Sequence, residues 1–304
     1  MGISFKGRDL ISIKDLTKEE LLYILNSTSK IKGNNLLKGK ILASLFFEPS
    51  TRTKLSFESA MSKLGGSVIG FGNPQITSIS KGESLYDTMK MVESYSDVIV
   101  MRHPVDGSVR YAAESVEVPV INAGDGVNQH PTQTLVDLYT IKKSIGKLEN
   151  LSIGFLGDMK YGRTVHSLAY ALSNFNAKMF FVSSEELKMP EQYLEELQER
   201  KVKVVEIEEL SKVSSQLDIL YVTRIQKERF PDPVEYERFK GIYRIDKNAI
   251  KNCKQGMKIM HPLPRVDEID IDIDSSKNAI YFDQARNGII VRQALLASIL
   301  GAFK

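Results

Sequence analysis

Thiols, imidazoles and net charge are all scarce in this 304-residue sequence. The single cysteine, Cys253, excludes an internal disulfide and leaves no thiolate cluster for a structural metal. The four histidines, His103, His130, His166 and His261, show no metal-ligand spacing such as HxxxH. A net charge of +3 provides neither a nucleic-acid footprint nor a membrane-surface patch. No early apolar run resembles a signal peptide, and no apolar stretch reaches the roughly 18 residues that span a bilayer. There is no GxxxxGK[ST], which excludes a nucleotide P-loop, and no GxGxxG, which leaves a dinucleotide site weakly supported. Neither internal repeats nor low-complexity tracts are present. The expectation is a soluble, cytoplasmic chain with no cofactor, no metal, and neither nucleic acid nor membrane as partner.

A hydrophobic content of 42% and a charged content of 26% are ordinary for a globular protein, and the length accommodates two domains with a core each. Amphipathic helices alternate with short apolar strands. A helix over about 17–31 opens on Thr17 and Glu20, a capping-box spacing, and turns Leu21, Ile24 and Leu25 inward. Strand-like runs follow at Ile41–Phe47, Val68–Phe71, Asp97–Met101 and Val118–Ile121. Helical patterns separate them, with Phe57, Ala60, Met61 and Leu64 in one and Leu85, Met89 and Val92 in another. After a long helix from Pro131 to about Ile145 a second series begins, with strands at Leu151–Leu156, Met179–Val182, Val202–Ile207, Ile219–Thr223 and Lys258–Met260. This alternation predicts α/β architecture, two domains each built on a parallel sheet flanked by helices. The domains are expected at 1–140 and 141–285, with the boundary inside the long helix. A C-terminal helix, 286–304, follows no further strand and is expected to pack back.

The segment "FFEPSTRT" crowds three hydroxyls and an arginine onto a strand–turn–helix junction. Ser50 stands near the N-cap, and the helix runs on to a Gly65–Gly66 stop. A helix N-terminus offers unpaired N–H groups and the positive end of a dipole. Ser50, Thr51, Arg52 and Thr53 added to those amides suit a phosphate better than a neutral ligand. A cap alone accounts for Ser50 but not for its neighbours. "VIVMRHP" sets Arg102 at the C-terminal end of a strand, where open α/β sheets bind ligands. "NAGDGVNQHPTQT" reads as a loop delivering His130 and Gln133, one helical turn apart. "GFLGDMKYGRT" presents Arg163, "YVTRIQKERF" presents Arg224 and Gln226, and the prolines of "HPLPR" fix a backbone that can aim carbonyls at a ligand.

Taken together, these segments resemble the aspartate carbamoyltransferase family of catalytic chains, within the aspartate/ornithine carbamoyltransferase superfamily. Its motifs appear in order over nearly the whole length: "FFEPSTRTKLSFE", "SISKGESLYDT", "VMRHP", "INAGDGVNQHPTQTLVDLYTI", "GDMKYGRTVHSL", "YVTRIQKERF" and "HPLPRVDEI". The departures, Pro49 and Met159, stand beside the ligand positions and not at them. The resemblance implies transfer of a carbamoyl group from carbamoyl phosphate to the amine of L-aspartate, in pyrimidine biosynthesis. Ser50, Thr51, Arg52 and Thr53 would hold the phosphate. Arg102, Thr53 and His130 would polarise the carbonyl. Gln133 and the backbone carbonyls of Leu263 and Pro264 would hold the carbamoyl NH2, and Arg163, Arg224 and Gln226 would grip aspartate. Lys81 would reach in from the neighbouring chain of a homotrimer whose active sites are shared. A regulatory chain in a larger assembly is compatible with the resemblance and has no local signature here.

That inventory suits the reaction. One substrate is a phosphate dianion and the other carries two carboxylates, so cations are needed on both sides of the reacting centre. Domain closure and alignment would contribute much of the rate, and no covalent enzyme intermediate is required. The sequence leaves open whether a side chain or the departing phosphate takes the amine proton. The nearest rival is the sister family acting on ornithine, whose "HCLP" segment carries a cysteine where this chain reads "HPLP". A non-catalytic sensor on the same fold and a dinucleotide-dependent dehydrogenase are more distant rivals.

Overall fold

The computed structural model describes residues 2–226, 230, 233–239 and 241–303, with residues 233–235 described by backbone alone. Lys227, Glu228 and Arg229 of the "YVTRIQKERF" segment therefore lie outside the described residues. The chain forms two compact units, Met1–Tyr139 with Arg286–Lys304, and Thr140–Ala285.

The first unit is organised on β1 (Ile41–Phe46), β2 (Ser67–Phe71), β3 (Val98–His103) and β4 (Val120–Asp125), all parallel, in the order β2-β1-β3-β4. Leu42, Ala43, Leu45 and Phe46, and Val98 through Met101, are buried without alternation. A parallel sheet is covered on both faces, so its central strands are apolar on both. It is accompanied by α1 (Lys18–Ser27), α2 (Thr51–Lys63), α3 (Leu85–Glu93), α4 (Ser108–Glu114), the first part of α5 (Pro131–Ile145) and the larger, C-terminal part of α9 (Tyr281–Ile299). The capping box of α1 forms as expected. The Thr17 N–H donates to Glu20 Oε2 at 2.8 Å, and the Glu20 N–H donates to Thr17 Oγ1 at 3.2 Å. α2 stops where Gly65 turns left-handed, at φ 82°.

The second unit carries β5 (Ser152–Leu156), β6 (Lys178–Val182), β7 (Lys203–Ile207), β8 (Ile219–Val222) and β9 (Lys258–Met260). They are parallel, in the order β7-β6-β5-β8-β9. Its helices are α6 (Arg163–Ser173), α7 (Glu191–Glu199), α8 (Pro233–Phe239) and the start of α9 (Tyr281–Ile299).

Two expectations are corrected. β4 continues through Asn122 to Asp125, into what reads as a loop, because the Asn122 side chain donates to Asp125 Oδ1 at 2.9 Å and both are buried. α9 begins at Tyr281 and not at 286, and Tyr281 is buried in the apolar core of the second unit.

Candidate functional site

Each sheet reverses its direction of growth once. In the first unit β1 leads outward to β2, whereas β3 and β4 build the other way, so the reversal lies between β1 and β3. In the second it lies between β5 and β8. Loops at the carboxyl ends of such neighbouring strands splay apart and leave a crevice, the general ligand position in open α/β sheets. The candidate residues concentrate on these loops.

In the first unit Phe46 is in register with Arg102, and the Phe47 N–H donates to the Arg102 carbonyl at 2.9 Å. The hydroxyl-rich turn therefore leaves the sheet directly beside Arg102. Ser50 occupies the N-cap of α2 in extended conformation, yet its hydroxyl makes no capping bond. Arg52 is exposed and Thr53 is buried on the first turn of α2. Arg102 is held by Glu48 of the same turn, its Nε 3.1 Å from Oε1 and its Nη2 on the same oxygen. Sequence reasoning did not single out Glu48, because one carboxylate among ordinary charges carries no local mark.

The loop after β4 is gathered around Asp125, which is fully buried. Its Oδ1 accepts from Asn122 Nδ2 and from the Gln129 N–H, and its Oδ2 from the Gly107 N–H and Asn128 Nδ2, all within 3.1 Å. This knot delivers His130, buried, with Nδ1 3.4 Å from Thr132 Oγ1. Gln133 follows on the first turn of α5, its Nε2 donating to Asp137 Oδ1 at 2.8 Å. Lys81 ends a 3-10 turn, Ser78–Lys81, and is exposed, with Gly82 left-handed after it.

The second unit repeats the arrangement. The Thr223 N–H donates to the Leu156 carbonyl at 2.8 Å, so the loop after β8 starts beside the loop after β5. Gly157 stands there at φ 117°, and a Cβ on it would come within 2.2 Å of the Thr223 carbonyl oxygen. The next residue, Asp158, is fully buried and bridges both loops. It accepts from the Tyr161 N–H at 2.8 Å and the Gln226 N–H at 3.4 Å, while its own N–H donates to Thr223 Oγ1 at 3.2 Å. Burial pushes its carboxyl up to about 6, against these backbone bonds, which lower it. Arg163 opens α6. Gln226 Nε2 donates to the Tyr161 carbonyl at 2.9 Å, which leaves one amide N–H and the amide oxygen for a ligand. Arg224 lines a pocket of about 230 Å³ with Thr223, Tyr236, Tyr243, Asp267 and Glu268.

The segment after β9 is fixed by a buried pair. The His261 Nδ1 accepts from the Leu263 N–H at 2.8 Å, so its Nε2 carries the proton, which it donates to Glu268 Oε1 at 2.6 Å. Burial lowers the imidazole's pKa, against the Glu268 hydrogen bond and charge, which raise it, and the Arg224 and Arg265 charges add to the lowering, so the contact joins a neutral ring to a carboxylate. Glu268 Oε2 also accepts the Val266 and Asp267 N–H groups, at 3.0 and 3.1 Å. These bonds hold Leu263 at φ 57°, an uncommon conformation for leucine, immediately before Pro264. Arg265 is engaged by Asp274 and Tyr281. Asp125, Asp158, His261 and Glu268 are the supporting residues that the sequence reading missed. Among the described residues, no group of three or more His, Cys, Asp or Glu is arranged to hold a metal ion, and no helix is long and apolar enough to cross a membrane.

Comparison with known proteins gives a consistent result. Residues 8–143 match the family described as aspartate/ornithine carbamoyltransferase, carbamoyl-P binding domain, and residues 149–299 match its Asp/Orn binding domain. The aspartate carbamoyltransferase catalytic subunit of Thermococcus kodakarensis is 56% identical over 306 residues, covering 98% of this chain and 99% of that protein. Among solved structures, the catalytic subunit of M. jannaschii aspartate transcarbamoylase is similar with a TM-score of 0.90 at 52% identity, over 97% of this chain and 98% of that one. The Trypanosoma cruzi aspartate transcarbamoylase in complex with carbamoyl phosphate and aspartate gives a TM-score of 0.93 at 38% identity, over 97% and 98% of the two chains.

Proposed function

We infer the function from one premise: this chain belongs to the aspartate/ornithine carbamoyltransferase family. It transfers the carbamoyl group of carbamoyl phosphate to the amine of L-aspartate, giving N-carbamoyl-L-aspartate and phosphate, a step of pyrimidine biosynthesis. The observation that carries this reading is the full-length identity to aspartate carbamoyltransferase catalytic subunits, 56% over 98% of the chain. The placing of anion-binding side chains on the loops at both sheet reversals supports it.

In the proposed division of labour the first unit binds carbamoyl phosphate. Its phosphate lies on the N-terminus of α2, held by Ser50, Thr51, Arg52 and Thr53. That Ser50 is not used as a side-chain cap supports a ligand role for its hydroxyl. Arg102 binds both phosphate and carbonyl oxygen, so an arriving dianion competes with Glu48 for the guanidinium. Thr53 and His130 complete the donor set around the oxyanion, each such donor contributing on the order of 2–4 kcal/mol in the transition state. Gln133 and the carbonyls of Leu263 and Pro264 accept from the carbamoyl NH2. Arg163, Arg224 and Gln226 take L-aspartate, the arginines through bidentate contacts that suit carboxylates. The amine, once deprotonated, attacks the carbonyl carbon, a tetrahedral oxyanion forms, and its collapse breaks the bond to phosphate, which departs as the attacking nitrogen gives up its second proton.

The active assembly is a homotrimer in the cytoplasm, with Lys81 completing the site of the neighbouring chain, an arrangement that requires head-to-tail cyclic contacts. Incubating the enzyme with carbamoyl phosphate and either L-aspartate or L-ornithine tests the activity. Carbamoylated product with aspartate alone is expected, and product with ornithine alone would contradict the assignment. Lys81→Ala and Arg102→Ala proteins, each nearly inactive, should recover activity when dissociated and reassembled together. No recovery in confirmed mixed trimers would mean that each chain completes its own site.

A further inference from the structure

Behind Gln133 lie two buried charged residues with no direct part in the proposed chemistry. Asp137, one helical turn along α5, is fully buried, and Arg292 of α9 is nearly so, with 4% of its surface exposed. The Arg292 guanidinium lies 5.0 Å over the Phe57 ring of α2, the helix whose N-terminus carries the phosphate turn. Space for it depends on Gly288, where an added Cβ would come within 2.3 Å of Arg292 Nη1. Burial pushes the guanidinium down to about 10, still charged at neutral pH, and the Asp137 carboxylate opposes that shift. A buried cation and a buried carboxylate are each costly to keep, and replacing such groups with well-packed apolar ones is often neutral or stabilising. Stability alone therefore gives little reason for them.

The geometry around Gln133 offers one. A carboxamide presents a donor at one end and an acceptor at the other, and its partners decide which end faces the ligand. Asp137 Oδ1 accepts from Gln133 Nε2 at 2.8 Å, so the amide oxygen is turned away from Asp137. We propose that Asp137, backed by Arg292, is a positioning residue that sets the amide orientation of Gln133. The site then presents an acceptor to the carbamoyl NH2 and discriminates a carbamoyl from an acetyl group. This rests on the reading of Gln133 as the partner of that NH2.

Asp137→Asn provides the test, because the substitution keeps the shape and changes the donor pattern. The Asn oxygen is drawn to the Arg292 guanidinium, which leaves its NH2 toward Gln133. Gln133 then turns its oxygen inward and presents NH2 to the carbamoyl NH2, donor against donor. Acetyl phosphate, with methyl in place of NH2, is indifferent to the reversal. Calorimetric titration of the full-length protein with carbamoyl phosphate and with acetyl phosphate reads the ratio of the two dissociation constants. Asp137→Asn is expected to reduce the preference for carbamoyl phosphate about tenfold, with acetyl phosphate affinity unchanged within about twofold. Gln133→Met, run beside it, should remove the same preference. If Gln133→Met removes it and Asp137→Asn keeps it, the positioning role is overturned and the reading of Gln133 stands. If Gln133→Met keeps it, the reading of Gln133 itself fails.

Should Asp137→Asn not yield folded protein, Arg292→Met decides. Without the cation, the buried carboxyl is easier to protonate, and once protonated it donates to the Gln133 oxygen. The preference for carbamoyl phosphate should then weaken as pH is lowered and recover as it is raised, whereas a ratio that is native and flat with pH would overturn the proposal.

Discussion

At the sheet reversal of the first unit, the candidate ligand groups sit on a helix N-terminus, with Arg102 held by Glu48 and the following loop drawn around Asp125. At the reversal of the second unit they sit at the first residue of α6, Arg163, and on the loop after β8, with Arg224 and Gln226. The loops after β5 and β8 are tied together by the buried Asp158, and the segment after β9 is fixed by the buried His261–Glu268 pair. Under the proposed function the same topology would serve two kinds of anion. A phosphate can be met by backbone amides and hydroxyls pointing one way. Two separated carboxylates need long guanidinium side chains, and the backbone that carries them must be held in place by other means. The supports differ accordingly, and both Asp158 and His261 have their titration displaced by burial.

The sharpest way to break the comparison is to remove the phosphate cradle. Arg52→Ala and Thr53→Ala should each lower kcat roughly a hundredfold or more, since charge-assisted donors act on the developing transition state. Circular dichroism should be unchanged, and near-native turnover in both would remove the assignment. A smaller effect is expected from Arg224→Lys, which keeps the charge and loses the planar fork. The aspartate KM should rise about tenfold or more, with carbamoyl phosphate KM hardly altered.

Acidification should separate the units further. Asp158 takes up its proton around pH 6, and a neutral carboxyl is a weaker acceptor for the Tyr161 and Gln226 N–H groups. The aspartate KM should therefore rise severalfold between pH 7.5 and 5.5. Asp158→Asn should show a raised KM that lacks this component of the pH dependence. The stability signs of the two buried groups are opposed. The raised Asp158 pKa means the native state binds the proton more tightly than the unfolded chain, so this residue contributes a loss of stability as pH rises from about 4 to 6. The lowered His261 pKa means the unfolded chain takes its proton first, so that contribution is lost as pH falls through about 6.5. Thermal melts of Asp158→Asn and wild type should accordingly converge on going from pH 7 to pH 4.5. The smallest effect belongs to α1, which carries none of the candidate residues. Thr17→Ala removes half of the α1 capping box and should cost about 1 kcal/mol of stability with unchanged kinetic constants.

Much of this architecture was legible because parallel strands covered on both faces appear as unbroken apolar runs. Lys258–Met260 and Pro131–Ile145 coincide with the reading, and most other strand ends differ by one or two residues. β4 was read short since Asn122 and Asp125 look like loop residues until their mutual hydrogen bond is seen. The short α4 was not recognised, as Arg110 and Tyr111 leave only Val109, Ala112 and Ala113 buried. The residues proposed to touch ligand carry strong local marks, namely clustered hydroxyls and arginines just after strands. Their supports do not. Asp125, Asp137, Asp158 and Glu268 are indistinguishable in sequence from solvated carboxylates, and only tertiary burial separates them.

The division of labour is tested most directly by a crossed titration. Inorganic phosphate, and succinate in the presence of saturating carbamoyl phosphate, are titrated calorimetrically into wild type, Arg52→Ala and Arg224→Lys. Arg52→Ala is expected to weaken phosphate about tenfold or more and to leave succinate near native, while Arg224→Lys does the reverse. Comparable losses of both ligands in either variant would contradict a division between the two units.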